Sequence, residues 1–506
     1  HWRIENPLEG LSLSAGPYVV DRRSGNGFTA LTYLLADNRG LSPVYLEASL
    51  RYLKRYSDLF GPYPFETFSV VENFFPTGYG FAGYTLMGGM VLRLPFIPDT
   101  SLAHEIVHNW WGNGVLVDAG SGNWCEGLAS YTADYLNQER ISPEAALDYR
   151  RQALRNYATL VSPETDMPLT HFRSRSDPVT KAVGYDKASM VFHMLRHEMG
   201  DAAFWDALRD LYADYRFKQA SWHDLQQVFQ GRAGRSLERF FRQWIDQPGA
   251  PRLALKNIRF EATDQGYRTT GSLVQEKPYY DLPVDLVLDT ENGPVNRSLR
   301  VTDRQTVFEI TTTGRPRVLA ADPGHHLFRR LVPKEMPPTV NTVRGSAKVT
   351  VVIAKQLLPD GEAIARRLIQ ALGLNPSRLV DEAALDPADT NSHDLLFVGL
   401  PEDRRLLRDL PGDLSITADG FQLNGHRYDD PEDVMFLITR PPERPGSVVA
   451  LLHARSEDAA ARASSKIAHY GRYSYLAFSR GQNRDKGTWE VADSPLIAHL
   501  SGTKAP

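Results

Sequence analysis

The sequence has 506 residues, 42% hydrophobic and 23% charged, with a net charge of −4. That predicts several globular domains and leaves no footprint for nucleic acid or an anionic membrane, and no apolar run approaches a membrane span. One cysteine excludes an internal disulfide framework.

Taken in chain order, residues 1–42 read as short strands between Gly and Pro turns, such as Phe28–Tyr33. The chain begins at His1 without a methionine, which we read as a processed or truncated product, with the balance toward a bacterial periplasm or cell envelope over cytoplasm. Helical periodicity dominates 43–250, as in Tyr45–Leu59, Pro143–Tyr157 and Leu237–Trp244, and Ser142-Pro143 and Ser221 are expected helix starts. Over 251–335 the pattern changes to alternation, as in Asp281–Leu288, which predicts a β-sandwich. A Pro-containing linker follows. In 348–506, apolar runs (Val349–Ala354, Val434–Ile438, Val448–Leu452) alternate with helical stretches (Gly361–Leu372, Glu457–His469), which predicts an α/β domain with a mostly parallel sheet. The expected fold class is therefore multidomain α+β: a mostly helical domain, a β-sandwich domain and a C-terminal α/β domain.

His104-Glu105-Ile106-Val107-His108 is the most specific stretch. Residues four apart share a helix face, so both imidazoles can grip one metal ion, with Glu105 beside the position left for water. So short a pattern occurs by chance, but Leu102, Ala103, Ile106, Val107, Trp110 and Trp111 surround it, as in a buried active-site helix. A catalytic zinc centre keeps three protein ligands and one open position. Glu126 is the candidate third ligand, and Cys125 and Asp118 are its rivals. Ser130, four residues after Glu126, is a candidate to orient a histidine. His193 and His197 are also four apart but lack a third ligand, so an ordinary amphipathic helix is expected there. His325-His326 reads as a solvated turn.

The stretch His104–Asn113 (HEIVHNWWGN), followed by Trp124–Tyr131 (WCEGLASY), resembles the aminopeptidase N-like gluzincin family of zinc metallopeptidases, whose members read close to HExxHxWxGN and WLxEGFAxY. The resemblance implies one Zn2+ per chain held by His104, His108 and Glu126, Glu105 as general base, and a peptide substrate. Ala182–Met190 resembles the family's VYxKGAxxxxML segment, which implies that Tyr185 stabilises the tetrahedral oxyanion. Tyr56–Pro64 and Phe240–Pro251 extend the likeness over roughly residues 45 to 335. It implies a thermolysin-like catalytic domain over 43–250, with 1–42 a remnant of a preceding β domain. Two departures stand out. Asn109 to Cys125 is seventeen residues, one short of the family spacer, with the deletion expected in the Asp118–Asn123 turn. The family's GxMEN strand, whose glutamate binds the substrate's free amino group, corresponds to Gly78–Met87, where no carboxylate falls on that position. Gly80, Phe81, Ala82, Gly83 and Tyr84 are the substrate-binding candidates there. Glu72 lies a few residues earlier and reads as a solvated strand end, though it is the first acid to suspect in the cleft. The expected activity is an aminopeptidase-like peptidase. The alternatives are an endopeptidase or blocked-peptide hydrolase, and a non-catalytic scaffold.

Overall fold

The computed structural model describes residues 6–8, 10, 12–75, 78–355, 361–407, 410, 413–441, 444, 446–491 and 493–500. Parts of the expected 1–42 and 348–506 segments, including both chain ends, lie outside the described residues. Helices and sheets are mixed, and the chain divides into two compact units. One takes the described residues up to 157, then 163–330 and those from 496 on; the other takes 158–162 and 331–495.

In the first unit, β1 (Val19–Gly25), β2 (Phe28–Leu34), α1 (Ser42–Phe60), β3 (Phe68–Asn73), β4 (Gly78–Phe81) and β5 (Tyr84–Gly88) come first. Their strands form one sheet in the order β1-β2-β3-β5-β4. β2 runs parallel to β3, with Ala30 opposite Phe68, and β4 is the edge strand, antiparallel to β5. The described part of 1–42 is therefore not a remnant of a separate domain. β2, α1 and β3 make a βαβ unit, and a strand's alternation does not tell which sheet, that far along the chain, will take it in. Ala30, Thr32, Leu34, Phe68, Val70, Thr85 and Met87 form the sheet's buried face.

The helices that follow are α2 (Gly89–Leu92), α3 (Ser101–Val107), α4 (Cys125–Ala129), α5 (Leu136–Ile141), α6 (Pro143–Leu160), α7 (Pro178–Lys181), α8 (Ala188–Met199), α9 (Asp201–Tyr215), α10 (Trp222–Ala233) and α11 (Glu238–Trp244). Ser221 caps α10 by accepting from Asp224 N–H, while the Asp224 carboxylate answers Ser221 N–H, the reciprocal pair that fixes a helix start. Trp110 and Trp111 are fully buried. Trp110 meets Tyr56 of α1 edge-on at 5.8 Å and donates from Nε1 to the Gly61 carbonyl at 3.0 Å, which anchors the stretch after α3 on α1. α4 and α8 come so close at Gly127 that a Cβ there would lie 2.3 Å from that of Ala188.

β6 (Leu116–Val117) pairs with β7 (Gln219–Ala220). β8 (Leu253–Thr263), β9 (Gly266–Gln275), β10 (Leu282–Thr290), β11 (Val295–Val301), β12 (Gln305–Thr312) and β13 (Pro316–Ala321) form two antiparallel sheets, β12-β9-β8 and one built on β11-β10-β13. The segment after β13 returns to α8. There His326 stacks between His193 and His197, with ring centroids 5.2 and 4.9 Å away, and hydrogen-bonds His193 at 2.9 Å. It is not the solvated residue expected. Burial, then Arg150, lowers its pKa to about 4, which keeps the ring neutral.

The second unit contains α12 (Val340–Arg344), β14 (Val349–Ile353), α13 (Gly361–Leu372), β15 (Arg378–Asp381), α14 (Pro387–Ser392), β16 (Asp394–Val398), β17 (Ser415–Thr417), β18 (Gly420–Leu423), β19 (His426–Tyr428), β20 (Asp433–Thr439), β21 (Val449–Ala454), α15 (Glu457–Ile467), β22 (Tyr475–Ser479) and β23 (Gln482–Gly487). Its large sheet runs β15-β14-β16-β21-β20-β22-β23. Every residue of β20 and β21 is buried, as continuous apolar runs predict for strands covered on both faces. The sheet is mixed rather than mostly parallel: β15, β14, β16 and β21 are parallel, and β20, β22 and β23 are antiparallel. Arg480 and Gly481, both at positive φ, close the β22–β23 hairpin as a two-residue primed turn does.

The last strand, β24 (Ile497–His499), leaves this unit and pairs with β13, Leu319 opposite Ala498. The expected 348–506 domain thus ends early, because three paired residues near the terminus are too few to announce their sheet. A chain stopped at Arg330 should melt at a lower temperature in its first unit than a chain whose Arg330 is joined to Leu496 by a flexible linker, because only the second keeps β24. Equal melting temperatures would show that this strand contributes nothing.

Candidate active site

α3 presents His104 and His108 on one face, and α4 brings Glu126 to them. His104 Nε2 and His108 Nε2 lie 3.2 Å apart, and Glu126 Oε2 is 3.4 Å from each. Among the described residues this is the one cluster of three His, Cys, Asp or Glu side chains whose donor atoms converge in this way. Cys125 is buried beside His108 and is not part of it.

The rear nitrogens of both rings are engaged. His104 Nδ1 pairs with Asp134 Oδ2 at 3.1 Å, and His108 Nδ1 with the Trp111 carbonyl at 3.0 Å. Such partners fix ring orientation and leave Nε2 as the ligand atom. Asp134 takes the place considered for Ser130. It lies in a π-helical turn, Ser130–Tyr135, that continues α4. Eight residues in a regular helix would leave it about 80° from Glu126's face, and the extra residue of a π turn reduces that to about 20°. The sequence gives no sign of that turn.

The charges interlock. Burial favours a neutral His104, but the Asp134 and Glu126 carboxylates together outweigh it and raise the pKa to about 10. His108 is likewise raised, its burial overcome by Glu126. Glu126 is held well below the usual carboxylate range, its burial overcome by the two histidines. Glu105, beside them, is pushed up by burial.

The donor set fits a metal. Glu126 Oε2 is buried with no hydrogen-bond donor directed at it. Three donors about 3.3 Å apart are also the edges of a tetrahedron with arms of about 2.0–2.1 Å, the usual Zn–N and Zn–O lengths. Two imidazoles and a carboxylate suit Zn2+.

Tyr185 lies beside His104. Its ring lies 6.2 Å from the His104 ring, nearly parallel, in a second π-helical turn, Ala182–Lys187. Burial and then Glu126 push its phenol well up, so it stays protonated and able to donate. Lys187 ties this turn down, donating from a fully buried Nζ to the Gln247 carbonyl at 3.2 Å.

β4 closes the other wall. A Cβ on Gly78 would stand 3.1 Å from Glu105 Oε1, and one on Gly80 would stand 3.0 Å from Glu105 Oε2 and 3.1 Å from His108 Cβ. Of the five substrate-binding candidates, only Gly80 faces the triad. Phe81 and Tyr84 stack on each other at 4.9 Å, one position out of phase and so on the sheet's other face. Ala82 and Gly83 form the hairpin turn, where Gly83 N–H donates to Asn109 Oδ1 at 2.9 Å. Glu72 is neither solvated nor in the cleft. It is 5% exposed, and its carboxylate accepts from Leu35 N–H at 2.8 Å and from the Asn38 amide at 2.6 Å.

Residues 99–244 match the Peptidase family M1 domain. This region is similar to the peptidase domain of family M1. Rice (Oryza sativa subsp. japonica) Aminopeptidase M1-B is 30% identical over 157 residues, 30% of this chain and 18% of that protein. The Alanine/arginine aminopeptidase of Saccharomyces cerevisiae is 23% identical over 217 residues, 41% of this chain and 25% of that one. Aminopeptidase N of Lactococcus lactis is 26% identical over 157 residues, 30% and 18% of the two chains. The chain therefore spans a quarter or less of the length of these relatives. The crystal structure of Legionella pneumophila aminopeptidase A in complex with aspartic acid superposes with a TM-score of 0.50 at 14% identity, over 65% of this chain and 40% of that one. M1 enzymes depend in general on zinc, in keeping with the triad.

Replacing Asp134 by alanine should weaken zinc binding by about 10- to 100-fold, the usual effect of losing such a partner, whereas Ser130→Ala should leave it unchanged. Because the metal-free histidines hold protons tightly, zinc must displace them, so affinity should rise with pH across the neutral range. A chelator-competition titration at several pH values reads both effects. Equal losses in the two variants would remove Asp134 from this role.

Proposed function

We propose that the chain is a zinc-dependent peptidase of aminopeptidase-like type, with His104, His108 and Glu126 holding one metal ion. The observation that carries this is the triad of donors at tetrahedral-edge spacing beside Glu105. Zinc, when bound, supplies a Lewis acid that polarises the scissile carbonyl and makes a water acidic near neutral pH. Glu105 accepts the proton of the attacking water and delivers it to the leaving amine. Its raised pKa suits a group that must take and then give a proton. Tyr185 donates to the oxyanion as it forms. In this reading a thermolysin-like catalytic domain takes in β1 and β2, and a β-sandwich follows it. The spacing of the triad argues against a non-catalytic scaffold.

A second reading is favoured by a specific observation. Recognition of a free amino terminus needs an acid near the scissile bond, yet β4 turns glycines toward Glu105, and Glu72 is fully used by Leu35 and Asn38. Burying a substrate ammonium without an acid partner is costly. We therefore propose that free amino termini are not required, which would make the enzyme an endopeptidase or a hydrolase of blocked peptides.

Tyr185→Phe should lower kcat by about 10²- to 10³-fold with little change in KM, the loss expected for one oxyanion donor. Near-normal turnover would exclude it. For matched free and N-acetylated peptides, kcat/KM should differ by less than about tenfold. A preference for the free form of about 10³, roughly 4 kcal/mol of differential transition-state binding, would restore an exopeptidase and require another acid.

A further inference from the structure

We propose that the second unit binds a small oxyanion, a carboxylate or a phosphate, between Arg440 and Arg444 at the sheet edge where β14, β16 and β21 begin. This does not rest on the peptidase reading.

Arg444 is only 9% exposed, yet its Nε and Nη1 have no hydrogen-bond partner, and neither does the buried Nε of Arg440. What the two side chains do bind is backbone. Arg444 Nη2 donates to the His393 carbonyl. Arg440 Nη1 donates to the Pro333 and Met336 carbonyls at 3.1 and 3.3 Å. These bonds hold each guanidinium in place and leave the remaining donors free.

The topology brings the two arginines together. β20 pairs with β21 so that Thr439 faces Val449. Arg440 therefore comes next to Val448, whose N–H donates to Asp394 Oδ1 at 2.7 Å. Arg444 reaches His393, the residue before Asp394. Both guanidinium groups sense the Asp394 carboxylate, though burial has the larger effect and lowers both pKa values. Neither makes an ion pair with it at 4.0 Å or less among the described residues.

Among the described residues, Asp394 is the one acid that both cations sense, and three donor nitrogens, Arg440 Nε and Arg444 Nε and Nη1, are unmatched. Buried polar groups are normally satisfied, and a buried guanidinium most of all. Its fork of donors fits the two oxygens of a carboxylate or phosphate. An apolar residue would fill these positions without leaving buried donors unfilled. The site lies at the edge opposite the one where open α/β sheets commonly hold ligands.

The test is calorimetric titration of the full chain with sodium phosphate and, separately, with N-acetylglycine, at constant ionic strength. One saturable site per chain is expected, weakened at least tenfold in Arg444→Met and in Arg440→Met. It should be unchanged in Glu126→Ala, which separates it from anion binding at the metal centre. Arg444→Lys keeps the charge without the fork and should also weaken binding while leaving the circular dichroism spectrum native, which covers the case in which Arg444→Met does not fold. Tighter phosphate would name a phosphate ligand, and tighter N-acetylglycine a carboxylate. No saturable binding of either anion, or binding lost in Glu126→Ala and kept in the arginine variants, would overturn the proposal.

Discussion

Two imidazoles and a carboxylate held within 3.4 Å of one another is the arrangement on which the rest of the first unit depends. In isolation it is unfavourable: desolvation opposes charge on all three groups, and Glu126 keeps a buried oxygen without a donor. The fold sustains it by fixing what surrounds it. Asp134 and the Trp111 carbonyl hold the backs of the rings, Trp110 pins the segment after α3 to α1, and Gly127 lets α4 close on α8. Strain of this kind is relieved by a cation at the centre, which is why the geometry points to a metal more strongly than any one residue does.

The helical segments that carry Glu126 and Tyr185 each contain a π turn, Ser130–Tyr135 after Glu126 and Ala182–Lys187 around Tyr185. A π turn wastes a hydrogen bond and is kept where it re-aims a residue. Here one turns Asp134 toward His104, and the other sets Tyr185 parallel to the same ring. His104 is thus bounded by Glu126, Asp134 and Tyr185, whereas His108 meets Glu126 and the Trp111 carbonyl just past its own helix.

The helix that carries His104 and His108 was legible in the sequence because its period is local: two histidines four apart and an apolar surround fix one face. Glu126 was legible through its motif, despite the shortened spacer. Asp134 was not, because its approach depends on a π turn with no residue signature. Glu72 reads as a strand end until Leu35 and Asn38, more than thirty residues earlier in the chain, are seen to enclose it. The same distance problem hid the sheet shared by β2 and β3, the return of β24 to β13 and the stacking of His326 on α8. In the second unit, buried runs gave the strands, and only the turns between them decided which would be antiparallel.

The most direct test of the metal centre is the anomalous difference map of crystals of the zinc-loaded protein, collected on either side of the zinc absorption edge. One strong peak per chain is expected, about 2.0–2.2 Å from His104 Nε2, His108 Nε2 and a Glu126 oxygen. A peak coordinated by Cys125 in place of Glu126, or no peak at these residues under full zinc loading, would contradict it.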